Sequence, residues 1–303
     1  MLVTGGSGLV GRYIVEALAD HGEQVVGYRN TRARGANQAT EIALSEMFDL
    51  AQLLHVMREH NVQRLVHAAD MSDPRSSIEM PVATDIANVE GVLHLLEAAR
   101  LAGIGGRIVL LSSSAVYGDN EGPIDESSPL RPRTPYAVTK VTGEQLGTVY
   151  SDLYGLDVVT LRLGEAYGPE LALPSILEAV IESAINGEVF HSHAGADHTF
   201  HLIHGEDICR AVLASLGATN PSQRIYNITG GARHSLGEIV ALIHDRFPAS
   251  RIEVGPGHLP ALDRQGPLDI RAADRELGYR PLWGLARGLD DYVEWLLAER
   301  EAA

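Results

Sequence analysis

A tyrosine and a lysine stand four residues apart in the segment PYAVTK, at Tyr136 and Lys140. The surrounding apolar spacing predicts a helix over residues 136–154, and residues four apart share one helix face. A lysine ammonium near a phenol favours the phenolate, which lowers the phenol pKa from about 10. Such a tyrosine can exchange a proton with a substrate hydroxyl or carbonyl near neutral pH. The pair therefore predicts a general acid/base, although this spacing alone is also typical of a solvated helix face.

Three serines follow the strand predicted over residues 107–111. Ligands of a parallel α/β sheet bind at the carboxyl ends of its strands. The hydroxyl of Ser113 could there hydrogen-bond the same substrate oxygen as Tyr136. The single cysteine, Cys209, is predicted to be a buried hydrophobe rather than a nucleophile. One cysteine also excludes an internal disulfide framework and suits a reducing cytoplasm, where we expect the protein to reside.

A glycine-rich stretch, TGGSGLVG, lies between a short apolar strand at Leu2-Val3 and a helical apolar pattern. Strand, glycine turn and helix form the order of a phosphate-binding βα unit, because glycines let the backbone approach a pyrophosphate. The helix N-terminus adds free N–H groups and the positive end of a dipole. An ordinary glycine-rich turn is the alternative, and the strand–helix context favours a dinucleotide site.

Strands and helices alternate up to about residue 165, which predicts a doubly wound parallel α/β Rossmann sheet. We therefore expect a dinucleotide-binding domain over 1–165, with later strands from about 200–230 returning to it. Residues 166–303 should mainly form a smaller α/β substrate-binding region. Within this order we predict a third strand over 47–50, a loop over 71–77 and one long helix over 82–102.

The 303 residues carry a formal net charge of −16, which argues against non-specific nucleic-acid binding. No apolar run approaches the ~20 residues that a membrane-spanning helix needs. Since the chain starts directly in a strand, no leader peptide is expected.

The chain resembles the extended short-chain dehydrogenases of the NAD-dependent epimerase/dehydratase family. The resemblance runs through TGGSGLVG, Asp49-Leu50, HAA at 67–69, NVEG at 88–91, SSSAVYG at 112–118 and PYAVTK. It continues through YGP at 167–169, IHGED at 203–207, YNITGG at 226–231 and DRELGYRP at 274–281. The family implies Tyr136 as acid/base, Ser113 as its hydrogen-bonding partner and Lys140 on the nicotinamide ribose. It also implies a homodimer built on the helices over 82–102 and 136–154.

The resemblance assigns cofactor contacts along the carboxyl edge of the sheet. They are Gly5, Gly6, Ser7, Gly8, Leu9, Val10, Gly11, Asp49, Leu50, His67, Ala68, Ala69, Asn88, Leu111, Tyr136, Lys140 and Leu163. Family members that use NAD usually have an acid at the end of the second strand. Arg29 takes that place, with Asn30 and Arg32 close by, and an arginine suits a 2′-phosphate. This favours NADP, with NAD as the alternative.

Two further departures concern the substrate. Dehydratases of the family have an Asp-Glu pair after the catalytic serine or threonine. This chain has Ser114-Ala115, which disfavours dehydration. Nucleotide-sugar epimerases usually contact the phosphates through an asparagine and an arginine, whose places fall to Glu165 and Phe200. Arg264 or Arg271 could compensate, and the segment containing Met71 and Ser72 should help to set specificity along with Ser113 and Ser114.

Two functions remain after these departures. A sugar epimerase would oxidise a carbinol carbon and return the hydride to the other face of the ketone. The alternative is an NADP-dependent dehydrogenase or reductase of a non-nucleotide polyol, sugar acid or ketone. A cofactor-sensing protein without activity is disfavoured because Ser113, Tyr136 and Lys140 form a complete set. For the histidines between 191 and 204, structural roles, substrate contacts or a metal site are open, and no metal is predicted.

Overall fold

The computed structural model describes residues 1–6, 8–29, 40–43, 49–170 and 175–302. Its strands are β1 (Leu2–Thr4), β2 (Val26–Arg29), β3 (Thr40–Ala43), β4 (Leu65–His67), β5 (Ile108–Ser113), β6 (Val158–Leu163), β7 (Glu165–Tyr167), β8 (Val189–Ser192), β9 (Thr199–Phe200), β10 (Leu202–His204), β11 (Ile225–Ile228), β12 (His234–Ser235) and β13 (Arg251–Val254). Its helices are α1 (Leu9–Asp20), α2 (Leu50–Glu59), α3 (Pro74–Glu79), α4 (Pro81–Asp85), α5 (Gly91–Ala102), α6 (Pro135–Tyr154), α7 (Ile176–Asn186), α8 (Gly205–Gly217), α9 (Leu236–Arg246), α10 (Arg271–Leu277) and α11 (Leu285–Ala302).

A parallel sheet forms the centre of the molecule, in the order β11-β6-β5-β4-β1-β2-β3. Its strands β1, β4 and β6 are buried along their whole length, as strands covered on both faces must be. One apolar core contains residues of α1, α8 and α10, and a second contains residues of α2, α5 and α6. The doubly wound Rossmann architecture predicted from the alternating elements is therefore confirmed.

The C-terminal region contributes a third apolar core between α7, α9 and α11. Short strand pairs β7–β10, β9–β12 and β8–β13 lie outside the large sheet. Of the strands expected to return from about 200–230, β11 joins the large sheet beside β6, whereas β9 and β10 do not. None of the described helices is long and apolar enough to cross a membrane.

Local predictions differ from the structure in three places. The third strand lies at Thr40–Ala43 rather than at 47–50. Leu50 is the first residue of α2, so the prediction of a strand that ends there was wrong. Residues 44–48 lie outside the described part of the chain. The expected loop over 71–77 contains the start of α3, which Asp73 caps and Pro74 opens. The long helix begins at Pro81 and contains a π-helical turn, Ile86–Glu90.

Candidate active site

The serine, tyrosine and lysine singled out in the sequence meet at one place. Ser113 ends β5, and Tyr136 is the second residue of α6, which Thr134 caps. The hydroxyl of Ser113 is hydrogen-bonded to the phenol of Tyr136. The ammonium of Lys140 lies 5.5 Å from the centre of the Tyr136 ring and donates a 2.9 Å hydrogen bond to the carbonyl of Leu111. A strand end and a helix N-terminus thus position a hydroxyl, a phenol and a cation together.

A carboxylate that sequence reasoning missed completes this group. Oδ2 of Asp70 lies 2.5 Å from Nζ of Lys140. Burial disfavours the ammonium form, yet the pKa of Lys140 is raised, because Asp70 and then Tyr136 favour the charged lysine. Burial and Asp70 also raise the pKa of Tyr136, against the lowering effects of Lys140 and the Ser113 hydrogen bond. The lowered phenol pKa expected from the Tyr136–Lys140 spacing is therefore wrong for this arrangement.

The glycine turn is packed so closely that it has no room for side chains at Gly5 and Gly11. Gly5 has a φ of +69°, and a Cβ there would lie 2.6 Å from the backbone nitrogen of Ala69. A Cβ on Gly11 would lie 1.9 Å from the Gly5 carbonyl oxygen. The following helix α1 has no side-chain cap at Gly8 and no acidic residue in its first turn. Its N–H groups and positive dipole end fit a pyrophosphate, so the turn fits a dinucleotide.

These groups line one cavity of about 920 Å³. On the dinucleotide side the lining includes Gly5, Gly8, Val10, Ala68, Ala69, Leu111 and Leu163, all of which the resemblance assigned to the cofactor. On the other side it includes the proposed substrate residues Met71, Ser72, Ser113, Ser114, Glu165 and Phe200. Asp70, Leu259 and Gln265 also line the cavity, and the sequence had not singled them out; His198, one of the histidines for which a substrate contact was left open, lines it too.

Several assigned residues have structural positions outside this lining. Nδ1 of His67 lies 2.7 Å from Oγ1 of Thr4, which joins β4 to β1. The amide of Asn88 donates to Oγ1 of Thr139 at 3.0 Å and to the Met71 carbonyl at 3.3 Å, while its oxygen accepts from the Met71 N–H at 2.8 Å. Asn88 therefore positions the loop that carries Met71 rather than facing the cavity. Gly6 and Gly11 likewise pack the turn itself.

Asp49 caps α2 by accepting hydrogen bonds from the N–H groups of Ala51 and Gln52, and Leu50 packs against the second core. Neither residue lines the described cavity. Arg264 does not line it either: its guanidinium pairs with Glu121 at 3.0 Å, and its charge acts on His198 of the lining. The assigned residues Ser7, Asn30 and Arg32, and the side chains of Leu9 and Arg29, lie outside the described residues.

A buried ionic network connects the helix and the strands that carry the site residues. Arg162 on β6 makes two hydrogen bonds to the carboxylate of Glu144 on α6, at 2.9 and 2.7 Å. Glu144 also accepts from the hydroxyl of Ser112, and Arg162 donates to the hydroxyl of Tyr117. Such a network satisfies every charge while fixing α6 against β5 and β6. Arg162 therefore has a positioning role.

The histidines between 191 and 204 make separate contacts. His191 packs edge-on against His193, His201 bonds the Gly266 carbonyl at 2.8 Å, and His204 stacks on Trp283 at 4.0 Å. Across the described chain, no three His, Cys, Asp or Glu residues are arranged to hold a metal ion. Cys209 is buried in the first core, as predicted. Asp207 lies in the first turn of α8 and accepts hydrogen bonds from the N–H groups of Leu282 and Trp283.

Known proteins with the same architecture have sugar-nucleotide chemistry in their names. The chain is 28% identical to the UDP-glucose 4-epimerase of Mycolicibacterium smegmatis, over 97% of both chains. It is also 28% identical to UDP-glucuronate 4-epimerase 1 of Arabidopsis thaliana, over 98% of this chain and 76% of the other. The solved UDP-glucose 4-epimerase of Thermus thermophilus, in complex with NAD, superposes with a TM-score of 0.85 at 26% identity, over 98% of both chains.

The cofactor named for that solved relative is NAD, and the relatives give no support to the preference for NADP expected from Arg29. The profile of the NAD dependent epimerase/dehydratase family matches residues 1–229. The match spans the glycine turn, Ser113, Tyr136 and Lys140. The chain therefore belongs to the NAD-dependent epimerase/dehydratase family.

Proposed function

We propose that the protein is an NAD-dependent sugar epimerase that inverts a carbinol carbon by removing and returning its hydride. The observation that carries this proposal is the contact of Ser113 with Tyr136 beside Lys140, on a cavity that also includes Gly5 and Gly8. The names of the relatives support the reaction type. The absence of an acidic side chain at Ser114-Ala115 argues against dehydration, since no group there could protonate a leaving hydroxyl.

Each side chain has a defined part in this reaction. Tyr136 takes the proton of the substrate hydroxyl as the carbinol becomes a ketone, and returns it when the ketone is reduced. Ser113 holds the same oxygen by a hydrogen bond. The Lys140 ammonium stabilises the phenolate, and its bonds to Asp70 and the Leu111 carbonyl fix its position.

The glycine turn and the N-terminus of α1 would hold the dinucleotide, with Ala68, Ala69 and Leu163 beside it. Bound NAD would accept the hydride and give it back within one cycle. We propose NAD rather than NADP on the strength of the solved relative. Comparing the two dissociation constants tests this choice, and tighter binding of NADP would overturn it.

The test of function begins with the purified protein. Denaturation should release NAD, identified by mass and absorbance, because an epimerase regenerates its cofactor in each cycle. Sugars, UDP-sugars and neutral glycosides are then screened for an epimerised product. Tyr136→Phe should slow product formation by about 10² to 10⁴-fold. Tyr154→Phe, an exposed position at the far end of α6, is the matched control and should keep the full rate. An unchanged rate in Tyr136→Phe would refute the proposed site.

We also propose a homodimer and a cytoplasmic location. Exposed apolar side chains lie along adjoining helices: Val82 on α4, Ile86 in the π-helical turn, Leu93 on α5, and Val138, Val149 and Leu153 on α6. A surface of this kind supports self-association, because apolar patches are usually covered by a partner. The buried, unpaired thiol of Cys209 supports a reducing compartment.

A further inference from the structure

The two halves of the cavity are built for different charges. In the dinucleotide half, α1 begins at Gly8 with no side-chain cap and no acid in its first turn, which leaves its N–H groups for a phosphate. In the other half, the first residues of α7 and α9 line the cavity. Their N-termini are capped by Ser175 and Ser235, and each first turn contains a glutamate, Glu178 or Glu238. At each of these two N-termini the serine cap and the glutamate already offset the positive end of the helix dipole.

Two of the three lysine and arginine side chains in the described lining are paired with carboxylates. The guanidinium of Arg133 pairs with Asp119 and Asp263, and Lys140 pairs with Asp70. Arg75 also lines the cavity; it is exposed and makes no ion pair with a described residue, although its charge acts on Asp73. The segment between β7 and α7 that lies outside the described residues, LALP at 171–174, contains no basic residue type. Arg75 is therefore the one lysine or arginine of the described lining that a second diphosphate could meet without breaking an ion pair.

The wall itself is apolar and contains a carboxylate. Its apolar members are Leu177, Phe200, Leu236, Ile239, Leu259 and Leu262. Glu165 is exposed into the cavity, and one of its oxygens accepts the N–H of His201 at 2.8 Å. A carboxylate at this place repels phosphate, whereas its free oxygen can accept a hydrogen bond from a hydroxyl.

A buried histidine adds a second polar point. His198 is 2% exposed, lines the cavity and packs against Phe200 with ring centroids 4.9 Å apart. Its Nδ1 has no hydrogen-bond partner among the described residues. Burial lowers the pKa of His198, so the ring is neutral near pH 7. A buried polar atom without a partner costs free energy, which a ligand hydroxyl would recover.

From this arrangement we infer that the substrate is an uncharged, hydroxylated molecule with an apolar portion and no diphosphate. The apolar portion packs on the apolar lining residues, which include Leu236 and Leu259. Its hydroxyls form hydrogen bonds with Glu165 and His198. The carbinol lies at Ser113 and Tyr136. This inference rests on the proposed function, from which it takes the reaction, and it adds the class of substrate.

Calorimetric titration of the NAD-loaded protein tests the inference. The probes are hexyl β-D-glucopyranoside, which is neutral with an apolar tail, and UDP-glucose. We expect the hexyl glucoside to bind at least about tenfold more tightly, because only UDP-glucose brings unpaired phosphates to Glu165. Tighter binding of UDP-glucose would overturn the inference.

Substitution of Glu165 gives a second, independent readout. Glu165→Gln should weaken hexyl glucoside binding about tenfold, the usual effect of losing a hydrogen bond to a charged group. Glu178→Gln, on the first turn of α7 and away from the lining, should leave binding unchanged. Unchanged glucoside binding in Glu165→Gln would contradict the inference.

Failure of the inference differs from failure of the proposed function. If UDP-glucose binds more tightly and is epimerised in a Tyr136-dependent way, the reaction stands and the neutral substrate class is wrong. If turnover of any probe continues unaltered in Tyr136→Phe, the proposed catalytic site itself is wrong.

Discussion

Nζ of Lys140 lies between the carboxylate of Asp70, at 2.5 Å, and the carbonyl oxygen of Leu111, at 2.9 Å. The lysine that should favour the Tyr136 phenolate is thus itself partly neutralised by a half-buried anion. Burial and this anion together keep the pKa of Tyr136 above its ordinary value. Asp70 thus adds to burial in raising the pKa of the acid/base group.

Replacing Asp70 with Asn should move the pH–rate profile to lower pH. Burial and the Asp70 charge raise the pKa of Tyr136, so removing that charge lowers it and makes the phenolate available at lower pH. We expect the acidic limb of the kcat/KM profile for the alcohol to move down by about one pH unit. Asp152→Asn, an exposed position near the end of α6, removes the same charge remote from the cavity and should leave the limb in place. Movement to higher pH would contradict the role given to Asp70.

Sequence patterns found the parts of this site that depend on local geometry. The spacing of Tyr136 and Lys140 places both on one helix face, and the alternating strands place Ser113 at a sheet edge. Asp70 was missed, because its contact with Lys140 joins two elements far apart in the chain. The roles of Asn88 and His67 were missed for the same reason: their polar atoms are taken by Met71, Thr139 and Thr4. Periodicity predicts which face is buried, and it does not predict which buried polar atoms are already paired.

Substitution of Gly11 should abolish dinucleotide retention. A Cβ at this position would lie 1.9 Å from the Gly5 carbonyl oxygen, so Gly11→Ala must displace the turn. We expect released NAD to fall at least about tenfold, since the displaced turn no longer presents the N-terminus of α1 to the pyrophosphate. Gly105→Ala, which meets nothing within 4 Å, is the control. Full NAD retention in Gly11→Ala would show that this turn does not hold the cofactor.

A charge on the exposed face of α6 should break the proposed homodimer. The side chain of Leu153 is 69% exposed, and Asp at this position would be buried without a partner in an apolar interface. Sedimentation should show Leu153→Asp as a monomer at concentrations where the wild type is a dimer. Leu282→Asp tests an apolar side chain of similar exposure after α10, and this variant should remain dimeric. A wild-type monomer, or a dimeric Leu153→Asp, would place the interface elsewhere.

Acid should destabilise the protein through His67. Burial first, and then the charge of Lys140, lower the pKa of His67 to about 3, against about 6.5 in the unfolded chain. Below pH ~6.5 the unfolded chain therefore binds a proton that the folded protein excludes, and the free energy of unfolding falls by up to about 1.4 kcal/mol per pH unit from this group. Urea unfolding at several pH values should show a shallower decline in His67→Asn than in the wild type. His55→Asn, which alters a solvent-exposed imidazole, should retain the wild-type slope, and equal slopes in all three proteins would exclude His67 as the cause.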